Sequence, residues 1–307
     1  MNEIYLRDTF GNFLVEHGKT YKDMVVLDAD LSYSTRTYKF AEKFPKRFFD
    51  FGIAEQNMVG AAIGFAISGK IPIVSGFSIF TTGRAWEFIR LICHDKLNVK
   101  IITTHGGLVG EDGSTHNALE DLTLMSTLPN ISILVPSDNL ELEKMLHYAL
   151  TSNGPFYVRL PREGFPKVHN KDYKFSIGNP DVLKNGDDIC LIGIGYGSSL
   201  ALQAAKELEQ KYEISVKVIN QATLKPINVK EFLSCIDKIN KIVIIEEHNI
   251  YCGMGNILTR IISENSPKLI KILGVHNSFG ESGSRVSLLS NYHLDLKSLI
   301  DIIKDMI

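Results

Sequence analysis

The chain is poor in the features that mark a specialised setting. Only four cysteines occur in 307 residues (Cys93, Cys190, Cys235 and Cys252), and no two form a Cys-x-x-Cys pair. That spacing offers neither a disulfide framework nor a zinc knuckle. No charge sign dominates: 33 Lys and Arg stand against 35 Asp and Glu, a net charge of −2. A nucleic-acid binder needs a basic excess to displace counterions, so that class is set aside. No apolar run approaches the ~18 residues of a membrane span. Met1–Phe10 mixes polar and apolar residues, unlike a signal peptide. There is no low-complexity segment and no fixed-period repeat. What is present is 44% hydrophobic and 22% charged residues, ample for buried cores and unlike a disordered chain. At roughly 150 residues per domain this length predicts two domains in a soluble, cytoplasmic protein with no nucleic-acid or membrane partner.

Short apolar runs alternate with longer amphipathic stretches, the pattern of an α/β protein. Strands are expected at Met24–Leu27, Phe48–Phe51, Ile71–Ser75, Val99–Thr103, Ile131–Val135 and Phe156–Arg159. These are apolar on both faces, as buried parallel strands must be. Helices are expected at Ile4–Glu16, Glu55–Ile67, Gly83–Ile92, Ala118–Ser126 and Asn139–Leu150, the last with a capping acid in Pro136–Asp138. From Pro161 to Gly186 the periodicity lapses among prolines, glycines and scattered charge, which suggests a linker. The alternation then resumes with strands near Ile189–Ile194, Ser215–Ile219, Ile242–Glu246 and Leu269–Leu273. Helices are expected near Ser198–Gln210, Val229–Ile239, Gly255–Ile262 and Leu296–Ile303. The expected fold is thus two consecutive α/β domains with mostly parallel sheets, over residues 1–165 and 187–307, joined by 166–186.

Three polar patches each follow a strand. In Gly52-Ile53-Ala54-Glu55-Gln56-Asn57 a glycine turns the chain and Glu55 opens an apolar helix. Taken alone, Glu55 would cap the helix dipole for a few tenths to ~1 kcal/mol. A carboxyl at a strand end in an α/β fold also sits where ligands bind and where burial raises its pKa. In Gly76-Phe77-Ser78-Ile79-Phe80-Thr81-Thr82-Gly83-Arg84, the rings of Phe77 and Phe80 fall on one side of a helical turn, either as core or as the wall of a pocket for a flat heteroaromatic. The stretch Thr103–His116 packs four glycines, two acids and two histidines into fourteen residues, a composition no core requires. Its spacing matches no metal motif, and hydrogen bonding to a polyhydroxylated substrate suits it better.

Together, Gly52-Ile53-Ala54-Glu55-Gln56-Asn57, Phe77-x-x-Phe80 with Gly83-Arg84-Ala85-Trp86, and Val109-Gly110-Glu111-Asp112-Gly113-x-Thr115-His116 resemble the transketolase family in order and spacing. The resemblance covers nearly the whole chain but only the carboxyl-terminal half of a conventional transketolase, and it is strongest to the second subunit of split transketolases. It implies a pyrimidine-binding domain followed by a transketolase C-terminal domain, thiamine diphosphate and Mg²⁺ as cofactors, and two-carbon ketol transfer between sugar phosphates in pentose-phosphate carbohydrate metabolism.

By that resemblance Glu55 bonds the aminopyrimidine ring nitrogen in an acid–base relay. Phe77 and Phe80 pack on the ring, while Gly83 stands where many transketolases carry a tyrosine, so the wall is thinner there or filled from elsewhere. Asp30 lies near the thiazolium. His105, Asp112 and His116 bond the donor's hydroxyls, with a loop before Gly110 one residue shorter than in single-chain members. Arg7, Ser34 and Arg162 match the phosphate-binding positions, where an arginine fork suits a phosphate or a sulfonate.

The family holds the diphosphate and its metal with Gly-Asp-Gly and a later Asn. Here Gly110-Glu111-Asp112-Gly113 has the wrong order and Asn185-Gly186-Asp187-Asp188 lacks the second glycine. This half-site, with all metal ligands, is therefore expected on a separate N-terminal subunit, in an α2β2 heterotetramer. Gly193-Ile194-Gly195-Tyr196-Gly197-Ser198 departs from the dinucleotide fingerprint and is assigned a structural role; Glu246-Glu247-His248 and Gly280-Glu281-Ser282-Gly283 receive none. The alternatives are a β subunit of a 2-oxo-acid dehydrogenase decarboxylase component, disfavoured by Glu-Asp-Gly-x-Thr-His, a deoxyxylulose-phosphate synthase fragment, and a non-catalytic scaffold subunit.

Overall fold

Parallel strands buried on both faces form the centre of each half of the molecule, in a computed structural model that describes residues 5–307. In the first half β1 (Met24–Asp28), β2 (Phe48–Asp50), β3 (Ile71–Val74), β4 (Lys100–Thr103), β5 (Ser132–Leu134) and β6 (Phe156–Arg159) run parallel in the order β5-β6-β4-β3-β1-β2. Every residue of β1, β4 and β6 is buried, which explains the apolar run of β1; β4 and β6 also bury Lys100, Thr103 and Arg159. Helices Leu6–Gly18 and Asn139–Thr151 cover one face through Leu6, Phe10, Leu14, Leu142 and Met145. Glu55–Ile67 and Trp86–His94 cover the other through Met58, Val59, Ala62, Ile89 and Ile92. The Asn139–Thr151 helix starts as its capping acid dictates, with the Glu141 amide donating to the Asp138 carboxylate at 2.9 Å.

The second half contains β7 (Asp181–Lys184), β8 (Ile189–Gly193), β9 (Val216–Asn220), β10 (Thr223–Lys225), β11 (Lys241–Asn249) and β12 (Leu269–Val275). Its sheet has the order β12-β11-β8-β9-β7, parallel except for β7. β10 leaves it and pairs antiparallel with β5, so the second half contributes an edge strand to the first sheet.

Several elements differ from expectation. The expected linker contains β7, whose residues are half-buried or exposed on a sheet edge; such a strand needs no apolar pattern. β10, only three residues long, and the Arg285–Asn291 helix gave no periodic signal. The helix expected over Gly83–Ile92 is two helices, Ser78–Arg84 and Trp86–His94, broken at Ala85. The first helix spans Leu6–Gly18, and the expected start at Ile4 lies outside the described residues. In the glycine-rich loop after β8, a Cβ on Gly193 would lie 2.3 Å from the Ser198 nitrogen and one on Gly197 2.3 Å from the Ile245 oxygen, so close packing of backbone requires both glycines. Among the described residues no helix is long and apolar enough to cross a membrane.

Candidate active site

The ends of the parallel strands in the first sheet converge on one cleft, where α/β folds place ligands. After β2 the chain turns through Gly52 (φ +66°) and Glu55 opens the Glu55–Ile67 helix. Its carboxyl is buried, 4% exposed. Both oxygens accept from Arg84 Nη1, at 3.0 and 3.2 Å, and the Arg84 guanidinium covers the Phe80 ring at 4.3 Å. Phe77 follows β3 and bridges to Thr104 after β4. The Phe77 and Phe80 centroids lie 6.1 Å apart, and His116 meets both edge-on at 6.0 and 5.2 Å. A Cβ on Gly83 would meet no atom of the described residues within 4 Å, so the space beside Gly83 is open.

The imidazole of His105 stacks on Phe77 with centroids 3.7 Å apart. Burial, reinforced by the guanidiniums of Arg7 and Arg162, lowers its pKa to about 3, so the ring is neutral and its 3.6 Å approach to Asp112 is not an ion pair. Arg7, Ser34, Phe77, His105, Asp112, His116 and Arg162 together line a cleft of about 290 Å³. Arg162 Nε pairs with Asp112 at 2.9 Å and Nη1 with Glu163 at 2.7 Å. Arg7 donates to the Ser34 carbonyl at 3.3 Å, and its Nε is buried without a hydrogen-bond partner among the described residues. A larger surface groove of about 640 Å³ lies between helices Leu6–Gly18 and Asn139–Thr151 and contains none of these residues.

Asp30 is exposed at φ +61°, its amide bonded to Asp50, and it does not line the cleft. The buried acid of that strand end is Asp28, which accepts from the Leu31 amide and the Thr35 and Thr37 hydroxyls at 2.7, 2.9 and 2.8 Å. Burial raises it to about 6 against those bonds. Its signal was available, an acid closing an apolar strand with two threonines following. Arg84 was visible only as part of a motif, not as the partner of Glu55. Three residues before Arg162, Arg159 is buried on Asp121 at 2.8 Å and does not line the cleft.

A buried carboxyl beside a two-ring wall suits the aminopyrimidine end of thiamine diphosphate, and the orphaned Arg7 donor suits an anionic oxygen. Among the described residues no three His, Cys, Asp or Glu side chains gather to hold a metal.

Two domains of this kind, with an acid and an aromatic wall at the strand ends, define a pyrimidine-binding unit with a companion C-terminal domain. Residues 2–167 match the model for the transketolase pyrimidine binding domain and 178–299 that for the transketolase C-terminal domain. The chain belongs to the transketolase family and corresponds to the C-terminal part of a split transketolase. It is 40% identical to a Methanocaldococcus jannaschii protein named as a transketolase C-terminal section, over 96% of this chain and 93% of that one. It is 31% identical to a 6-deoxy-6-sulfo-D-fructose transketolase subunit of a Clostridium species, over 98% and 94%. A solved split-gene transketolase, an inactive beta4 tetramer, matches with a TM-score of 0.89 at 40% identity, covering 99% of this chain and 98% of that one. The 1-deoxy-D-xylulose-5-phosphate synthase of Halothermothrix orenii is 33% identical, but this chain spans only 46% of it.

Proposed function

We propose that this chain is the pyrimidine-binding and C-terminal subunit of a two-chain transketolase that moves a two-carbon ketol unit from a ketose phosphate to an aldose phosphate. The observation that carries this reading is the cleft shared by Phe77, the neutral His105 and the Arg7–Ser34–Arg162 group, with Phe80 beside Phe77 and the Glu55 carboxyl joined to Phe80 through Arg84. Bound thiamine diphosphate supplies the nucleophilic carbon and the electron sink for the two-carbon unit. Glu55 holds a proton at the aminopyrimidine ring nitrogen, Phe77 and Phe80 exclude water from that ring, and His105, Asp112 and His116 bond the sugar hydroxyls. Arg7, Ser34 and Arg162 take the terminal anion, and a guanidinium fork accepts a phosphate or a sulfonate. The diphosphate and Mg²⁺ fall to an N-terminal subunit in an α2β2 assembly, because the Gly-Asp-Gly element is missing here.

Calorimetry on the isolated chain should show little heat with thiamine diphosphate and Mg²⁺. A mixture with a chain carrying Gly-Asp-Gly and Asn should bind the cofactor and transfer ketol units from a ketose phosphate. Tight Mg²⁺-dependent binding without a partner would overturn the two-chain reading.

A further inference from the structure

The second domain reaches the substrate cleft through an ion pair. Glu247, near the end of β11, is 4% exposed, and Arg285 opens the Arg285–Asn291 helix. Arg285 Nη1 and Nη2 donate to Glu247 Oε1 and Oε2 at 2.9 and 2.8 Å, a two-pronged pair. Both partners also bond the backbone of one residue of the other domain. The Leu108 amide donates to Glu247 Oε1 at 2.7 Å, and Arg285 Nη1 donates to the Leu108 carbonyl at 3.0 Å. Leu108 lies three residues after His105, on the stretch that leads to Asp112 and His116.

The same loop is shaped to admit this clamp. A Cβ on Gly107 (φ +89°) would lie 2.6 Å from Glu247 Oε1, and one on Gly106 2.6 Å from Arg159 Nε. The Arg159 guanidinium lies beneath, donating to the Glu247 and Ala118 carbonyls at 3.1 and 2.8 Å. His105 itself is held at φ +61°, a left-handed conformation that a non-glycine residue keeps only when its surroundings over-determine it. A buried ion pair is a poor way to stabilise a domain seam, since desolvating two charges offsets most of their attraction. Four directed hydrogen bonds among two side chains and the backbone of one residue are, in contrast, well suited to fixing that backbone in place.

We propose that Glu247 and Arg285 are positioning residues: by gripping the Leu108 backbone they hold His105 against Phe77 in the orientation that meets the donor sugar. The C-terminal domain thereby takes part in donor recognition without touching the cofactor. This rests on the transketolase reading above.

The test uses Glu247→Gln in the reconstituted two-chain enzyme and in the isolated chain. Glutamine keeps the shape but loses the charge and one acceptor. A charged hydrogen bond is worth roughly a 10–150-fold change, so kcat/KM for the ketose donor should fall by about 10-fold or more. Thiamine diphosphate affinity should stay within about twofold. In the isolated chain, hydrogen exchange at the Leu108 amide should accelerate while that of the β4 amides does not. The Glu247→Gln/Arg285→Gln double variant should lose no more than the worse single, as parts of one device do. If the glutamine variant fails to fold, Glu247→Asp, which keeps the charge but withdraws it by one methylene, replaces it.

Unchanged donor kinetics in a folded variant, or an unchanged Leu108 exchange rate, would overturn the proposal, as would equal losses in donor kinetics and cofactor affinity. A wild-type complex that transfers no ketol unit would refute the transketolase reading instead. Leu108 exchange and the His105 ring resonances would then decide the clamp by themselves, unchanged values in Glu247→Gln overturning it.

Discussion

Asp28 and Glu55 are both buried acids at strand ends, and their partners separate their roles. Asp28 gives its oxygens to a backbone amide and two hydroxyls of its own loop. Among the described residues the Glu55 carboxyl bonds only Arg84, whose side chain is 50% exposed. That difference supports the proposed role of Glu55 toward a ligand. In the two-chain enzyme, Glu55→Gln should keep assembly and melting temperature while activity falls by about 10²–10⁴-fold, the usual loss for a general acid–base group. Steady-state ketol transfer measures this, and a near-normal rate would leave Glu55 as a helix cap. That Phe77, His105 and Arg162 share one cleft, and that Glu55 opens a helix at a strand end, was legible in the sequence because each stands just after an apolar strand. Arg84 and Glu247 were not, since their roles depend on partners 29 and 139 residues away that only tertiary packing brings together.

At the scale of elements, the exit of β6 assigns opposite work to two arginines. Arg159 ends the strand, fully buried against Asp121 and the loop carbonyls, whereas Arg162, past Pro161, reaches the cleft half-buried between Asp112 and Glu163. A terminal phosphate at this point would compete with two carboxylates already in place. Arg162→Ala should raise KM for phosphorylated substrates by roughly 10–150-fold, the worth of a charged hydrogen bond. Because that anion is remote from the reacting carbonyl, kcat should change little. Parallel assays with phosphorylated and unphosphorylated acceptors decide this; an equal loss for both would place Arg162 in the fold rather than the anion site. Buried strands such as β1 and β8 were legible within a residue or so because they are buried throughout and almost wholly apolar. The edge strands β7 and β10 were not, because a strand with one open side can be short and polar.

Across the whole molecule, the two halves also meet at a second charged seam, formed by other residues than the Glu247 clamp. His169, from the connecting segment, lies 3.0 Å from Asp138 of the first half and 3.1 Å from Asp181 of the second. Glu141 stands 3.8 Å away, bonded to the Tyr173 hydroxyl at 2.7 Å and to Asn220 Nδ2 at 2.9 Å. Burial alone would push the His169 pKa down. The bonds to Asp138 and Asp181 and the charge of Glu141 outweigh it and hold the ring at about 9, above the ordinary 6.5. A raised histidine stabilises fully below its unfolded pKa, and that contribution is lost as pH climbs through the folded value. The loss therefore falls between pH 6.5 and 9 and amounts to roughly 3 kcal/mol. Burial also raises Glu141 to about 7, which lowers stability with rising pH over the adjoining interval from its ordinary 4.5 upward. In thermal melts, the wild-type midpoint should drop several degrees between pH 7 and 9.5. His169→Gln should start lower at pH 7, fall less, and converge with the wild type near pH 9.5. Two curves that fell in parallel would mean that His169 does not hold a proton at this seam, which would then rest on the bonds of Asn220 to Glu141 and Ser137, on packing and on β10.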